Sequence, residues 1–212
     1  MEEENIDEVP KNQNNIRNGR DLIQAAIEYN SIANVAEIAR RSFGNNAFDG
    51  ILTMLGVMMG SFTSNVADPA IVITTGLTTS IAIMISGAWG AYLTESAERK
   101  KDINELGRSM LTDLQSSRIG RAGRFAAIAV AVVDGISPFI GAIFPLIPFF
   151  FFALFPDIRV VYFTAFGVAL VELFILGIWL GNVAKENLFG YGFKTLLAGV
   201  ASMLVGSLLN GN

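Results

Sequence analysis

Long apolar stretches restrict this chain more than any other feature of its sequence. Residues 70–93 contain no charged side chain, and about 20 such residues suffice to cross the hydrocarbon core of a bilayer as a helix. Charged residues make up only 16% of the chain, against about 25% in soluble domains. Because lipid offers no hydrogen-bond partners to the backbone, apolar spans of this kind must be helical. The pattern predicts an all-α, polytopic membrane protein.

The apolar pattern predicts five transmembrane helices. They cover about residues 47–65, 70–93, 124–155, 158–182 and 195–209. Asp68 and Pro69 form the first turn, with Pro at the first position of the second helix. If the N-terminus is cytosolic, all but one of the 15 Lys and Arg residues lie on the cytosolic side, and the exception is Arg159. Because basic residues favour that side, this orientation is the one predicted.

The polar segments define the remaining organisation. Residues 1–18 are acidic and polar, without the apolar core of a signal or transit peptide, and we expect a disordered cytosolic tail. Residues 19–46 have apolar side chains spaced by threes and fours among charges, which predicts an amphipathic helix on the membrane surface or on a partner subunit. The first two spans then occupy residues 47–93, a cytosolic helical insert residues 94–124, and the last three spans residues 125–212.

The chain has no Cys and no His. This excludes disulfides, thiolate or imidazole metal sites, and catalysis by Cys or His. No Ser has a recognisable base. We therefore predict no enzymatic activity, no cofactor and no nucleic-acid partner, and a bound metal would need carboxylate, carbonyl, hydroxyl or Met ligands.

One face of the first span combines a carboxylate with hydroxyl and small side chains. At 100° per residue it consists of Asp49, Thr53, Gly56 and Gly60. We expect this face to meet protein or water rather than lipid, either as part of a pathway or as a Gly-x-x-x-Gly packing face below an interfacial Asp. A hydroxyl face in the second span either lines a pathway or bonds back to its own carbonyls; it consists of Thr75, Thr79 and Ser86.

Two further acids fall inside predicted spans. Asp134 lies some ten residues into span three, about 15 Å deep at 1.5 Å per residue, and Glu172 lies near the middle of span four. Each Pro of span three removes a hydrogen bond to the carbonyl four residues before it. Carbonyls freed in this way are possible oxygen ligands, and the residues that share the face of Asp134 are Pro138, Gly141, Pro145 and Pro148. Acids within a membrane indicate function by default.

The cytosolic insert carries a regular stripe of acids. They recur at i, i+3, i+7 and i+10 and are Glu95, Glu98, Asp102 and Glu105. One interpretation is a solvated helix with ion pairs between residues i and i+4. The other is an acidic site that collects divalent cations and is completed by a second copy or another helix.

Two short motifs repeat in the same order. Asp49-Gly50-Ile51 with Gly56 recurs as Asp134-Gly135-Ile136 with Gly141, and Ile85-x-Gly87-x-Trp89 recurs as Ile175-x-Gly177-x-Trp179. The copies are two spans apart, which predicts a parallel repeat around an axis along the membrane normal. This symmetry would bring Asp49 and Asp134 to comparable depths, and we predict that they share one water-accessible site.

From about Arg20 onward the chain resembles the vacuolar iron transporter family. The resemblance rests on Arg41-x-x-Gly44 before Asp49-Gly50-Ile51, on five spans with an insert between spans two and three, and on Gly90-Ala91-Tyr92-Leu93 leading to Glu98. It implies transport of divalent iron or manganese in exchange for protons, along a dimer-interface path lined by spans one and two. Asp49 matches the family's span-one Asp, and the acidic stripe resembles a reduced form of its metal-gathering domain.

The chain departs from the family near the end of span two. The family often has Ser-Met and Gly-Glu-Tyr where this chain reads Ser86-Gly87 and Gly90-Ala91-Tyr92. Two functions follow. The first is a transporter that moves a divalent cation out of the cytosol, as a homodimer through Gly56-x-x-x-Gly60 in a prokaryotic plasma membrane, with ligand or coupling carboxylates at Asp49, Asp134 and Glu172. The second is a membrane scaffold or assembly subunit without transport.

Overall fold

Long helices make up almost all of the described chain. The computed structural model describes residues 35–209. Its helices are α1 (Val35–Thr63), α2 (Pro69–Met110), α3 (Arg118–Ile143), a short α4 (Ile147–Phe150), α5 (Ile158–Ala184) and α6 (Leu188–Leu209). Residues 35–209 contain no strand. The all-α prediction is confirmed.

Four segments are long and apolar enough to cross a bilayer. Among residues 35–209 they are α2, the stretch Arg118–Phe150 that joins α3 to α4, α5, and α6 as far as Leu208. They make the chain an integral, multi-pass membrane protein. The segment α1 is not among them because its first half is polar, with Arg40, Arg41 and Asn45. The fifth span, over α1, therefore stays a prediction.

One face of α1, the helix with the polar start, packs against the apolar helices. Four side chains of α1 spaced by threes and fours are at most 1% exposed, namely Ile51, Met54, Leu55 and Met58. They share one core with residues contributed by the turn after α3, by α4 and by α5, among them Leu146, Phe149, Tyr162, Phe166 and Leu173. Met54 and Met58 thus fill space between helices, which is the usual role of Met.

The predicted cytosolic insert is built from continuations of two spanning helices. Helix α2 has 42 residues and is about 63 Å long at 1.5 Å per residue, twice the thickness of a bilayer core of about 30 Å. Its last turns pack on the start of α3, where a Cβ added at Gly123 would lie 3.0 Å from Ile103. A turn over residues 111–117 joins the two helices. We call this projecting pair of helix ends, residues 94–124, the hairpin.

The start of the described chain also continues into the helix that contains the first predicted span. The sequence predicted an amphipathic helix over residues 19–46 and a separate span after it. In the structure, residues 35–46 belong to α1, which runs without a break to Thr63. Residues 1–34 lie outside the described part of the chain, and with them the predicted tail and most of the amphipathic helix.

Helix boundaries follow the residues that cap or interrupt them. Asp68 accepts a hydrogen bond of 2.9 Å from the N–H of Ala70, with Pro69 in the first turn of α2, so the predicted start of this helix is confirmed. Helix α6 begins at Leu188, seven residues before the predicted boundary at Thr195. There the side chain of Asn187 accepts the N–H of Gly190 at 3.2 Å.

Span three is not the single helix that the sequence predicted. Helix α3 continues through Pro138 but ends at Ile143, and a 3-10 turn follows at Phe144–Leu146. Pro145 lies in this turn and Pro148 in the first turn of α4. Both positions tolerate Pro because a helix start needs no N–H donor there.

The two ends of the bundle differ in charge. Arg159, near the start of α5, lies beside Val66 and Ala67, which belong to the turn after α1. It is therefore at the end of the bundle away from the hairpin. The remaining described bases lie toward the hairpin end, at the start of α1, in the hairpin itself and near the junction of α5 and α6. This is the asymmetry that the predicted orientation requires.

Candidate functional site

The Asp49 face of α1 points away from the bundle. Asp49, Thr53 and Gly56 are exposed and Gly60 is half-buried, whereas the enclosed side chains of α1 lie on the opposite face. A Cβ added at Gly56 or Gly60 would meet no atom within 4 Å. Within one chain, none of the described residues covers this face.

The predicted hydroxyl face of α2 is uncovered as well. Thr75 and Ser86 are exposed and Thr79 is half-buried. Neighbouring hydroxyl residues of α2 donate hydrogen bonds to carbonyls of the same helix. These bonds run from Thr74 to Ala70, from Thr78 to Thr74 and from Ser80 to Gly76, each at 2.7 Å. The outer faces of α1 and α2 therefore offer one carboxylate and several hydroxyls to whatever lies against them.

Asp134 lies inside the bundle rather than on its surface. It is half-buried, and its Oδ1 is buried without a hydrogen-bond partner among the described residues. Its carbonyl, which Pro138 frees from the helix ladder, faces α2, where a Cβ added at Gly87 would lie 2.7 Å from it. This carbonyl is thus in contact with the backbone of α2, an arrangement that Cα–H groups stabilise weakly.

The contacts of Asp134 predict a position closer to the membrane boundary than the sequence count did. Its contact partner Gly87 is two residues from Trp89, which is 66% exposed, and exposed Trp side chains favour the membrane interface. The predicted depth of about 15 Å was counted from Arg124. That residue lies in the hairpin, so the count began outside the apolar layer.

The predicted acids do not form one cluster. Among residues 35–209, no group of three or more Asp or Glu side chains is arranged to hold a metal ion. Asp49 faces outward from α1, the backbone carbonyl of Asp134 contacts α2, and Glu172 lies in a groove of α5 that no residue of α1 or α2 lines. The proposed sharing of one site by Asp49 and Asp134 stays a prediction.

The glycines of the internal repeat mark close contacts between helices. Gly50 lies against the backbone of Pro138, and Gly135 lies against α2, where an added Cβ would be 2.7 Å from that of Ala88. The second glycines differ: Gly141 is covered by α1, with an added Cβ 2.5 Å from the carbonyl of Ala47, whereas its counterpart Gly56 is bare. The repeat thus has a packing role, and its second glycine is covered in one copy and bare in the other.

A buried hydroxyl that the sequence analysis missed links the last two helices. The Thr195 Oγ1 donates to the carbonyl of Leu173 at 2.8 Å and contacts Gly177. Gly177 belongs to the repeated Ile-x-Gly-x-Trp motif, so the repeat pointed to this close approach of helices but not to its partner.

The acidic stripe in the hairpin contains ion pairs. Glu95 pairs with Arg99 at 3.1 Å, and Glu105 lies 3.9 Å from Lys101, both four residues apart on the helix. Glu98 and Asp102 are exposed. The ion pairs fit the solvated-helix interpretation for half of the stripe, and metal binding completed by a second copy or another helix stays a prediction.

Comparisons with known proteins cover nearly all of the described chain. The VIT family model matches residues 43–112 and 108–210. The chain is also 32% identical over 168 residues to an uncharacterized protein of Methanocaldococcus jannaschii, an alignment that covers 78% of this chain and 85% of the relative. The uncovered faces of α1 and α2 both lie within the family match.

Proposed function

Because the chain belongs to the VIT family, a family of membrane metal transporters, we propose that it moves divalent iron or manganese out of the cytosol in exchange for protons. One observation carries the proposal: Asp49, the residue that matches the family's span-one Asp, presents its carboxylate on a face of α1 that residues 35–209 leave uncovered. Members of such a family are transporters rather than enzymes.

A second copy of the chain is the best cover for the Asp49 face. A carboxylate that faces lipid is costly and is usually matched by a partner or by water. Bare glycines at positions 56 and 60 allow a second helix to approach closely. The repeat supports the same idea, because the counterpart of Gly56 is covered by a helix and Gly56 is not.

Such a dimer would complete the oxygen ligands of a metal path. One chain offers few oxygens on the uncovered faces of α1 and α2, the carboxylate of Asp49 and the hydroxyls of Thr53, Thr75 and Ser86. Hard divalent ions take about six oxygen ligands, in part from water. Two facing copies double the protein oxygens, and since metal competes with protons for carboxylates, uptake of one releases the other.

The proposed direction of metal transport follows from the distribution of basic residues. The basic residues of the hairpin end favour the cytosolic side of a prokaryotic plasma membrane. Metal then enters from the hairpin end and leaves beside Arg159. Glu172 is not part of this path, because its groove contains no residue of α1 or α2.

The test is metal uptake by the purified full chain in liposomes under a pH gradient. We expect uptake of iron or manganese that depends on the gradient and is accompanied by proton movement in the opposite direction. Cobalt, zinc and calcium serve as the comparison metals, and protein-free liposomes as the control. If no metal moves with or without the gradient, the transporter proposal is wrong.

One observation favours a scaffold without transport as the second candidate. The family often has Met where this chain has Gly87, and the backbone carbonyl of Asp134 occupies the space that a side chain at this position needs. In this chain, α2 contributes packing where relatives have a soft ligand. A chain that dimerises and folds normally but moves no metal would be this scaffold.

We predict that Gly56→Leu weakens the dimer without unfolding the chain. The added side chain meets no atom of its own chain within 4 Å at the Cβ, but it blocks close approach of a second α1. The dimer fraction in mild detergent, measured by light scattering, should fall. Gly167→Leu, at an equally bare glycine on α5, is the matched control. A protein that is already monomeric before any change would contradict the proposed assembly.

We predict that the hairpin binds divalent metal through its acidic stripe. Changing Glu95, Glu98 and Glu105 to Gln and Asp102 to Asn removes four of its carboxylates, and titration calorimetry with Mn²⁺ should then show loss of the hairpin's binding. Asp113→Asn is the control, since Asp113 lies in the same hairpin off the stripe and its side chain accepts the N–H of Gln115. Unchanged binding in the fourfold variant would show that the stripe is only a solvated face.

A further inference from the structure

A groove on the outer surface of α5 has the size of a small-molecule site. Its volume is about 660 Å³, within the range of about 300–1,000 Å³ found for ligand pockets. Glu172 lies in it together with Phe144 from the 3-10 turn and, from α5, Thr164, Gly167, Val168, Val171 and Ile175. Val171 and Ile175 are exposed on the outside of the bundle, so the groove opens toward lipid.

Glu172 is the one ionisable residue among these lining residues, and it has no partner. Its Oε2 is buried without a hydrogen bond, and none of the described residues forms an ion pair with it. It lies near the middle of α5, between Ile158 and Ala184. A carboxylate left alone at such a depth is costly, and acids there are usually matched by a partner. An ionised Glu172 would therefore need a partner from outside the described chain.

The lining fits a hydrophobic organic cation better than a metal ion. Besides Glu172 the only side-chain oxygen of the groove belongs to Thr164, whose hydroxyl donates to the carbonyl of Val160 at 2.8 Å. A hard divalent ion would lose most of its water here and gain too few oxygens. A cation shielded by apolar groups loses little hydration, its apolar groups fill the groove, and its charge is attracted by the carboxylate and by the ring of Phe144.

We propose that this groove binds a hydrophobic organic monocation that enters from the bilayer, with its charge against Glu172. The site is separate from the α1 face and does not depend on the proposed metal transport. It assigns to α5 a binding function of its own.

The probe for the test is tetraphenylphosphonium, bound to the purified full chain in lipid nanodiscs and measured by equilibrium dialysis. We expect saturable binding that Glu172→Gln weakens about tenfold or more, because the substitution removes the charge and keeps the shape. Tetraphenylborate has the same shape and the opposite charge. It should bind the unchanged chain poorly and the Glu172→Gln chain better.

Gly167→Phe tests the groove while keeping the carboxylate. A Cβ at Gly167 meets no atom within 4 Å, so the ring can enter the groove without displacing the helix, and binding of tetraphenylphosphonium should again fall. Leu197→Phe, on the exposed surface of α6, is the control and should bind normally. Binding that neither groove variant changes would overturn the site. Absence of saturable binding would also overturn it and would indicate that lipid acyl chains fill the groove.

Discussion

Asp49→Asn is expected to reduce metal uptake to the background of protein-free liposomes while the chain stays folded. The side chain is exposed on the outer face of α1, and Asn has nearly the same shape, so the substitution removes a charge and little else. Because a neutral amide binds hard divalent ions weakly and cannot exchange a proton for metal, both uptake and proton movement should stop. The measurements are liposome uptake and the thermal unfolding midpoint.

Asp68→Asn is the matched control for this experiment. Asp68 is also exposed and also lies on the segment α1–α2, but its side chain caps α2, a role that Asn performs equally well. Its uptake should match that of the unchanged chain. Full uptake by Asp49→Asn would contradict the proposed path.

Asp134→Asn tests whether the two repeated acids act together. If they share one site, this variant stops uptake as well, and the double variant is no worse than either single one, because residues that act as a unit are not additive. Normal uptake by Asp134→Asn would show that α1 acts without its repeat. Because the Oδ1 of Asp134 is buried without a partner among the described residues, the substitution can change stability as well as uptake. The unfolding midpoint of the variant must therefore be measured together with its uptake.

Gly50→Ala is expected to lower stability by roughly 1–3 kcal/mol or more, the range for overpacked contacts. The added Cβ would overlap the backbone carbonyl of Pro138, and a backbone atom cannot rotate away as a side chain can. The whole contact between α1 and α3 must then open. Thermal unfolding of the variant in detergent would show a lower midpoint, and uptake would fall with the amount of folded protein.

Gly167→Ala, at a bare glycine of α5 away from the proposed dimer face, should have the opposite effect. No atom lies within 4 Å of the added Cβ, and Ala stabilises a helix by about 0.5–1 kcal/mol relative to Gly. Equal midpoints for Gly50→Ala and Gly167→Ala would contradict the close contact of α1 with α3. Gly50 and Asp49 are adjacent, so the substitution of Gly50 tests the fold and the substitution of Asp49 tests the function.

Some features were predictable because they depend on short segments. The helices follow from apolar stretches whose backbone has no other way to form hydrogen bonds in lipid. The start of α2 follows from Asp68 and Pro69, which act within one turn. The family followed from local motifs around Asp49 and Gly90, and the family match confirms it.

Other features depend on which helices meet and at what level. The sequence placed Asp49, Thr53 and Gly56 on one face of α1, but it could not show that this face points away from the bundle. Periodicity relates residues only to others of their own helix. The depth of Asp134 required its contact with Gly87, since only a neighbouring helix shows where the apolar layer begins.

Helix continuity was the third such feature. Charged residues predicted a separate insert over residues 94–124, yet α2 runs through Glu95 to Met110 without a break. The charge content of a segment indicates whether it prefers water or lipid, but it does not indicate where a helix ends. A helix crosses the membrane boundary without changing its backbone hydrogen bonds. By itself the sequence determined which segments are helical and which of them prefer lipid; the tertiary structure alone decided which faces remain uncovered, because close contact at Gly50, Gly87 and Gly135 sets the position of each helix against the next.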